Sequence, residues 1–269
     1  LESRRNRAVT DFFEPGSVFK IVTATAALNE GKFSPQDKIF CENGAYRVAN
    51  HILHDVHPYG LLEFREVIAQ SSNIGTTKIA QKIGGTAVYD YAKAFGFGSV
   101  TSVGLPGEVG GVLKPVSTWS KTSIGAVPIG QEVCVTTLQL AAAVSAIANN
   151  GTYMKPYVVR AVIDKKGEVI KSFDPQPLRQ VMTEETSKTM RDILAAVVES
   201  GTGKLAQSKL FKFAGKTGTG QKIDPNGTFS HTKFMASFIG FAPVEDPQIA
   251  IAVIVDEPRP YYYGGVVSA

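Results

Sequence analysis

The sequence predicts an α+β domain, and three observations carry that prediction. Apolar residues recur at helical spacing in several separate runs between 18 and 200. Three strand-like runs crowd into 210–257, separated by turn sequences. No internal repeat or low-complexity linker divides the chain, so one domain over 1–269 is expected, with an antiparallel sheet flanked by helices and an all-helical subregion.

Taken in order, residues 18–30 read as a helix, introduced by Pro15–Gly16 and stopped by Gly31. Residues 33–62 ("SPQDK", "ENGAY", "HPYG") read as irregular and turn-rich. The run 63–83 keeps a helical period that breaks near Asn73–Ile74–Gly75, which predicts two helices. Residues 86–97 form a further amphipathic helix ended by Gly96, and 98–134 is a long Gly/Pro/Ser-rich loop region. A strong helix follows over 135–151, with Thr136 or Thr137 as N-cap and Gly151 as stop. Residues 157–173 read as a hairpin turning at Lys165–Gly167. Thr183, followed by acidic residues, opens a helix over 183–200. The strands 210–220, 232–242 and 248–257 make a meander with turns at 224–227 and 242–247.

Composition narrows the function. With 43% hydrophobic and 19% charged residues the chain can bury a sizeable core. A net charge of +4 with no basic stripe gives nucleic-acid binding little support. Two cysteines, Cys41 and Cys134, are too few for a disulfide framework or a zinc cage and read as buried small hydrophobes. No run reaches the roughly 18 apolar residues that a membrane-spanning helix needs.

Three short motifs could carry chemistry. Ser17 and Lys20, three residues apart at the start of a helix, share one face with Cβ atoms about 5–6 Å apart. Lys20 stands among apolar neighbours, where desolvation lowers an ammonium's pKa, and a neutral amine beside a serine is a general base beside a nucleophile. The helix N-terminus favours a developing alkoxide at Ser17. A surface lysine that follows a serine gives the same pattern, and Ser230–His231–Thr232–Lys233 matches it too. The second motif, Ser71–Ser72–Asn73, lies near the break between two helices, where it can face a cleft or simply cap a helix. The third, Lys216–Thr217–Gly218–Thr219, puts a cation, two hydroxyls and glycine on a strand, a grip suited to a carboxylate. A P-loop is excluded, because the required glycine is replaced by Leu210 and a turn and strand follow instead of a helix.

Other groupings are weaker. His51, His54 and His57 surround Asp55, but the segment has no helical period and His57 precedes Pro58, so no metal site and no cofactor are expected. Asn226–Gly227–Thr228 matches a glycosylation acceptor and reads more simply as a turn.

Together, Ser-x-x-Lys, Ser-x-Asn and Lys-Thr-Gly in that order resemble the signature of penicillin-binding proteins and serine β-lactamases. "RNRAVTDFFEPGSVFK", "SSNIGTTKIA", "VTTLQLAAAVSAIANNGTYMKP", "ASFIGFAPVEDPQIAIAVIVDEP" and "YYYGGVVSA" are similar to class B penicillin-binding proteins of the cell-division type, and the resemblance covers nearly all of the chain. It implies the fold of that superfamily and the transpeptidase domain of a septal peptidoglycan D,D-transpeptidase. The parent would also carry a membrane anchor and a non-catalytic domain, and would work on the extracytoplasmic face of the membrane with other division proteins. A C-terminal helix that normally covers the sheet would be missing from this piece. Residue by residue, the resemblance implies Ser17 as nucleophile, Lys20 as its base and Ser71 as proton relay. Asn73, Lys216, Thr217, Gly218 and Thr219 would bind substrate, and the N–H groups of Ser17 and Thr219 would form an oxyanion hole. Stem peptides and β-lactam antibiotics would be the ligands. Glu132 and Cys134 depart from the family pattern, which often has glycine there, and the resemblance assigns that loop nothing.

Two other activities fit the same motifs. A serine β-lactamase needs a deacylation base, and no Glu-x-x-x-Asn follows the Ser-x-Asn motif; Glu108 and Glu132 lie in loops. A β-lactam sensor would share the Ser17 chemistry and differ only in turnover and partners.

Overall fold

The computed structural model describes residues 5–224 and 228–269. A short helix, α1 (Arg7–Thr10), and strand β1 (Phe12–Phe13) lead into a 3-10 turn, Gly16–Phe19, and then helix α2 (Lys20–Asn29). Every residue of α2 from Lys20 to Ala27 is buried, so this helix is the hub of the fold and not an amphipathic surface element. The α-helix begins two residues later than the sequence suggests, and Ser17 sits in the tighter turn ahead of it. Gly31, at φ +61°, ends it as expected.

The stretch 33–62 is more ordered than its composition suggests. It holds β2 (Lys38–Phe40), β3 (Ala45–Val48), β4 (His51–His54) and β5 (Leu61–Glu63), paired antiparallel as β2–β5 and β3–β4. Only Ile39, Val48 and Leu53 of these strands are buried, one from each of β2, β3 and β4. Strands this short cannot display alternation against a turn-rich background. Helices α3 (Phe64–Ala69) and α4 (Asn73–Ile83) follow, and the break between them falls at 70–72, just before the expected position. Ser72 caps α4, its Oγ accepting the N–H of Gly75 at 2.9 Å. Helix α5 (Gly85–Ala94) ends before Gly96 as predicted.

The region 98–134 is mostly loop, with β6 (Val112–Leu113) and α6 (Ser123–Ala126) inside it. It runs into β7 (Val133–Thr136), which pairs with β1 and β6. Helix α7 (Thr137–Ala148) opens with a capping box made by Thr136 and Gln139. Strands β8 (Thr152–Met154) and β11 (Pro177–Gln180) pair with each other, and β9 (Ala161–Ile163) and β10 (Val169–Ser172) form the predicted hairpin. Helix α8 (Glu184–Glu199) starts at its Thr183 cap.

The closing sheet has the order β12 (Ala214–Ile223), β13 (Phe229–Ala242), β14 (Ile249–Asp256), as the meander requires. Its β12–β13 turn and the Asn226–Gly227–Thr228 sequence lie partly outside the described residues. A single helical turn, α9 (Gly264–Val267), returns against β12 and β13. Helix α8 packs on β12, α7 on β13 and β14, and α2 on α4 and α5. The core shared by these layers includes Phe19, Ile21, Ile68, Phe95, Leu140 and Ile239, all fully buried. Each such side chain contributes roughly 1.5–3 kcal/mol through burial. The architecture fixes three segments around one crevice: the turn before α2, the break before α4, and edge strand β12.

Candidate active site

The turn carrying Ser17 rests directly on β12. Gly16 has φ +58°, and a side chain there would approach the carbonyl of Thr219 within 3.0 Å. On the strand, a Cβ at Gly218 would lie 2.8 Å from the carbonyl oxygen of Pro15 and 2.4 Å from Ser237 Oγ. Glycine on both surfaces lets the turn and the strand touch backbone to backbone. Gly218 therefore acts in packing, which refines the sequence expectation that it binds substrate.

Ser17 is half-buried, and among the described residues its Oγ has no hydrogen-bond partner. Lys20, one turn on, is fully buried. Its Nζ donates to the carbonyl oxygen of Ser71 at 2.6 Å and to Asn73 Oδ1 at 2.7 Å, and lies 3.2 Å from Ser71 Oγ. The expected direct bond from Lys20 to Ser17 is thus not formed. A desolvated amine takes the strongest acceptors within reach, and two amide oxygens outcompete a hydroxyl. Burial lowers the Lys20 pKa to about 7, against the opposing pull of the Asp55 charge. A neutral amine has two N–H donors and one lone pair. The two amide oxygens use both donors, which leaves the lone pair free to receive a proton.

Ser71 sits in the α3–α4 break at φ +61°, a left-handed conformation that costs a non-glycine residue free energy. Its hydroxyl meets a second buried lysine: Lys216 Nζ, from β12, donates to Ser71 Oγ at 2.9 Å and to the carbonyl of Thr217 at 3.1 Å. Burial holds Lys216 well below the usual lysine range, and the Lys20 charge pushes in the same direction. Two ammonium groups sharing one hydroxyl in a dry pocket repel each other, so the crevice disfavours holding both charges at once.

Asn73 is oriented at both ends of its amide, since Nδ2 donates to the carbonyl of His54 at 2.9 Å while Oδ1 accepts from Lys20. The helix start that carries it is tied to Asp55. Ser72 Oγ donates to Asp55 Oδ2 at 2.6 Å, and the N–H groups of Asn73 and Ile74 donate to Oδ1. A carboxylate at a helix N-terminus complements the dipole there. Asp55, which stands among the three histidines in the sequence, thus caps α4.

Thr217 and Thr219 share one face of β12, opposite to Lys216 and Gly218. Thr217 Oγ1 lies 2.6 Å from Thr202 Oγ1, and Thr219 Oγ1 accepts the N–H of Gly264 at 3.0 Å. The Thr219 hydroxyl keeps its own proton to donate to a ligand. The sequence reading named neither Asp55, Thr202 nor Gly264 as site residues. Asp55 lies in the stretch whose composition reads as irregular, and Thr202 and Gly264 meet β12 only through the tertiary fold, so no local pattern marks them. The remaining site residues, Ser17, Lys20, Ser71, Asn73, Lys216, Thr217 and Thr219, surround one crevice.

The chain as a whole is similar to known proteins. Residues 2–269 match the family model described as penicillin binding protein transpeptidase domain. Penicillin-binding protein PbpB of Mycolicibacterium smegmatis is 36% identical over 264 residues, covering 94% of this chain and 40% of that protein. Stage V sporulation protein D of Bacillus subtilis is 38% identical over 269 residues, covering 98% of this chain and 42% of the relative. The chain thus spans well under half the length of these curated relatives. Among solved structures, penicillin binding protein 3 of Mycobacterium tuberculosis, complexed with ampicillin, superposes with a TM-score of 0.89 at 34% identity, covering 94% of this chain and 58% of that one. The transpeptidase domain of Burkholderia pseudomallei penicillin-binding protein 3 gives 0.87 at 32% identity, covering 98% and 77%. The chain belongs to the penicillin-binding protein transpeptidase domain family, in its class B group.

Proposed function

We propose that this chain is the catalytic domain of a peptidoglycan D,D-transpeptidase. The observation that carries the reading is the meeting of two buried lysines, Lys20 and Lys216, at Ser71 Oγ, with Lys20 one turn along the chain from Ser17, whose hydroxyl has no hydrogen-bond partner among the described residues. In the first step Ser17 Oγ attacks the carbonyl carbon of the penultimate D-Ala of a stem pentapeptide. The O–C bond forms and the C–N bond to the terminal D-Ala breaks. The Ser17 proton passes by Lys20 and Ser71 to the departing amine. In the second step an amine of a neighbouring stem peptide attacks the ester. The N–C bond forms, the ester O–C bond breaks, and a proton returns to Ser17.

Asn73 holds the substrate amide and Lys20. Lys216 supplies the positive field, and Thr217 and Thr219 receive the terminal carboxylate. The N–H groups of Ser17 and Thr219 receive the oxyanion, a role worth about 3–4 kcal/mol per donor in comparable sites. Penicillins would acylate Ser17 and remain; the similar Mycobacterium tuberculosis protein has been solved with both ampicillin and aztreonam. No described helix is long and apolar enough to cross a membrane. The resemblance to cell-division enzymes supports a septal role, an anchor and non-catalytic domain supplied elsewhere in the parent protein, an extracytoplasmic location, and other division proteins as partners.

Labelling with a fluorescent penicillin tests the reading. A stable adduct in the wild type, lost in Ser17→Ala, is the expected result. An unlabelled wild type contradicts it, and rapid turnover of a chromogenic cephalosporin would favour a β-lactamase. A stable adduct without cross-linking of stem peptides by the full-length protein would favour a sensor.

A further inference from the structure

A cavity of about 310 Å³ lies beside the crevice, lined in part by Asn50, His51, Thr122, Gln131, Glu132 and Phe229. None of these residues has a role in the steps above. The cavity borders the nucleophile turn through Gly130, the neighbour of Gln131, whose carbonyl accepts the N–H of Gly16 at 3.1 Å. It borders the other wall through β4, which brings His51 to the cavity and the His54 carbonyl to Asn73.

Glu132 is fixed in this cavity wall. Its backbone is left-handed, at φ +57°. Its N–H donates to Glu14 Oε1 at 2.9 Å, and its own Oε2 accepts the hydroxyl of Ser123 at 2.6 Å. Ser123 is itself buried. Among the described residues neither Glu132 nor Glu14 is paired with a cation; the ion pairs all involve other carboxylates. Burial pushes the Glu14 carboxyl upward; the Glu132 N–H opposes that rise and the Glu132 charge adds to it. A held carboxylate without a counter-ion, in a cavity of mixed polar and apolar lining whose wall continues through Gly130 to the nucleophile turn, suits a cationic ligand with an aliphatic stem. Of the two substrates in the proposed transfer, the acceptor presents an amine as its nucleophile, and a primary amine is an ammonium ion in neutral water.

We propose that this cavity receives the amine-bearing side chain of the acceptor stem peptide, and that Glu132 binds its ammonium group. The inference rests on the transpeptidase reading. Glu132 is a positioning residue: the ammonium releases one proton to solvent before the nitrogen attacks the ester, and a second proton returns to the Ser17 oxygen as the ester O–C bond breaks.

The test uses the full-length protein, a thioester donor that acylates Ser17, and a stem tripeptide carrying a free side-chain amine. Transferred and hydrolysed products are measured against acceptor concentration. Glu132→Gln is expected to raise the half-saturating acceptor concentration roughly tenfold or more, with the limiting transfer rate changed far less. Ala126→Leu, which narrows the cavity from α6 and leaves the carboxylate in place, should raise it as well. Half-saturation equal to wild type in both variants overturns the inference while leaving the acyl-enzyme intact. A wild type that forms no Ser17 ester overturns the transpeptidase reading itself.

Discussion

Lys20 and Lys216 reach the same oxygen, Ser71 Oγ, from two different elements, at 3.2 and 2.9 Å. One comes from the buried helix α2 and the other from the edge strand β12, so the hydroxyl couples the two halves of the fold. Neither lysine faces water. The chemistry follows from that shared desolvation: an amine that holds its proton weakly lies within hydrogen-bond distance of Ser71 Oγ, one turn along the chain from Ser17.

The acylation rate should therefore depend on pH through Lys20. Burial lowers this group from 10.5 to about 7, so the neutral amine becomes the major form above that point. The rate of penicillin acylation is expected to rise as pH passes through about 7 and then level off. Stability carries the same signature. Between about 7 and 10.5 the unfolded chain binds a proton at Lys20 that the folded chain lacks, so stability rises with pH across that window. Denaturant melts at several pH values should show this rise, and Lys20→Met should lose part of it.

Ser71→Ala removes the oxygen on which both lysines converge. Lys216 keeps only the Thr217 carbonyl, and Lys20 keeps its two amide oxygens. Stopped-flow acylation should slow roughly 100- to 10,000-fold, the range typical of a lost proton-transfer group. Retention of the wild-type rate would remove Ser71 from the mechanism.

Asp55→Asn tests whether the cap of α4 positions the site. The variant keeps the shape but loses the negative charge facing the helix start and Lys20. Its stability should fall by about 1–2 kcal/mol through the weakened cap. The Asp55 charge raises Lys20, so its loss should also move the midpoint of the acylation profile to lower pH. A midpoint unchanged from wild type would mean that Asp55 acts on the fold alone.

Gly218→Ala should separate packing from binding. The new methyl meets Ser237 Oγ at 2.4 Å and the Pro15 carbonyl at 2.8 Å, so the nucleophile turn must shift away from β12. Acylation should drop by roughly 100-fold, since small displacements of a reacting group are costly. A rate within a few-fold of wild type would show that the turn tolerates the separation.

The long elements could be read from the sequence because periodicity and caps agree there. Helix α7 begins at Thr136, one of the two caps the sequence offers, α8 at Thr183, and the closing meander has the expected order. The hydrophobic setting of Lys20 also showed in the sequence, since every neighbour along α2 is apolar or small. The proton path was less visible. Lys20 turns toward Ser71 and Asn73, and that preference depends on where the α3–α4 break falls in space. Asp55 stayed hidden because β4, which leads into it, buries only Leu53, too little to mark a strand. Thr202 and Gly264 reach Thr217 and Thr219 only once β12 is flanked by α8 and α9, a tertiary event with no local signature.

The most direct measurement is a peptide map of the protein after brief exposure to benzylpenicillin, read by mass spectrometry at several pH values. The account predicts one penicilloyl group, on Ser17, whose rate of formation climbs through about pH 7. An adduct on another residue, or a rate on Ser17 indifferent to pH across that range, would contradict it.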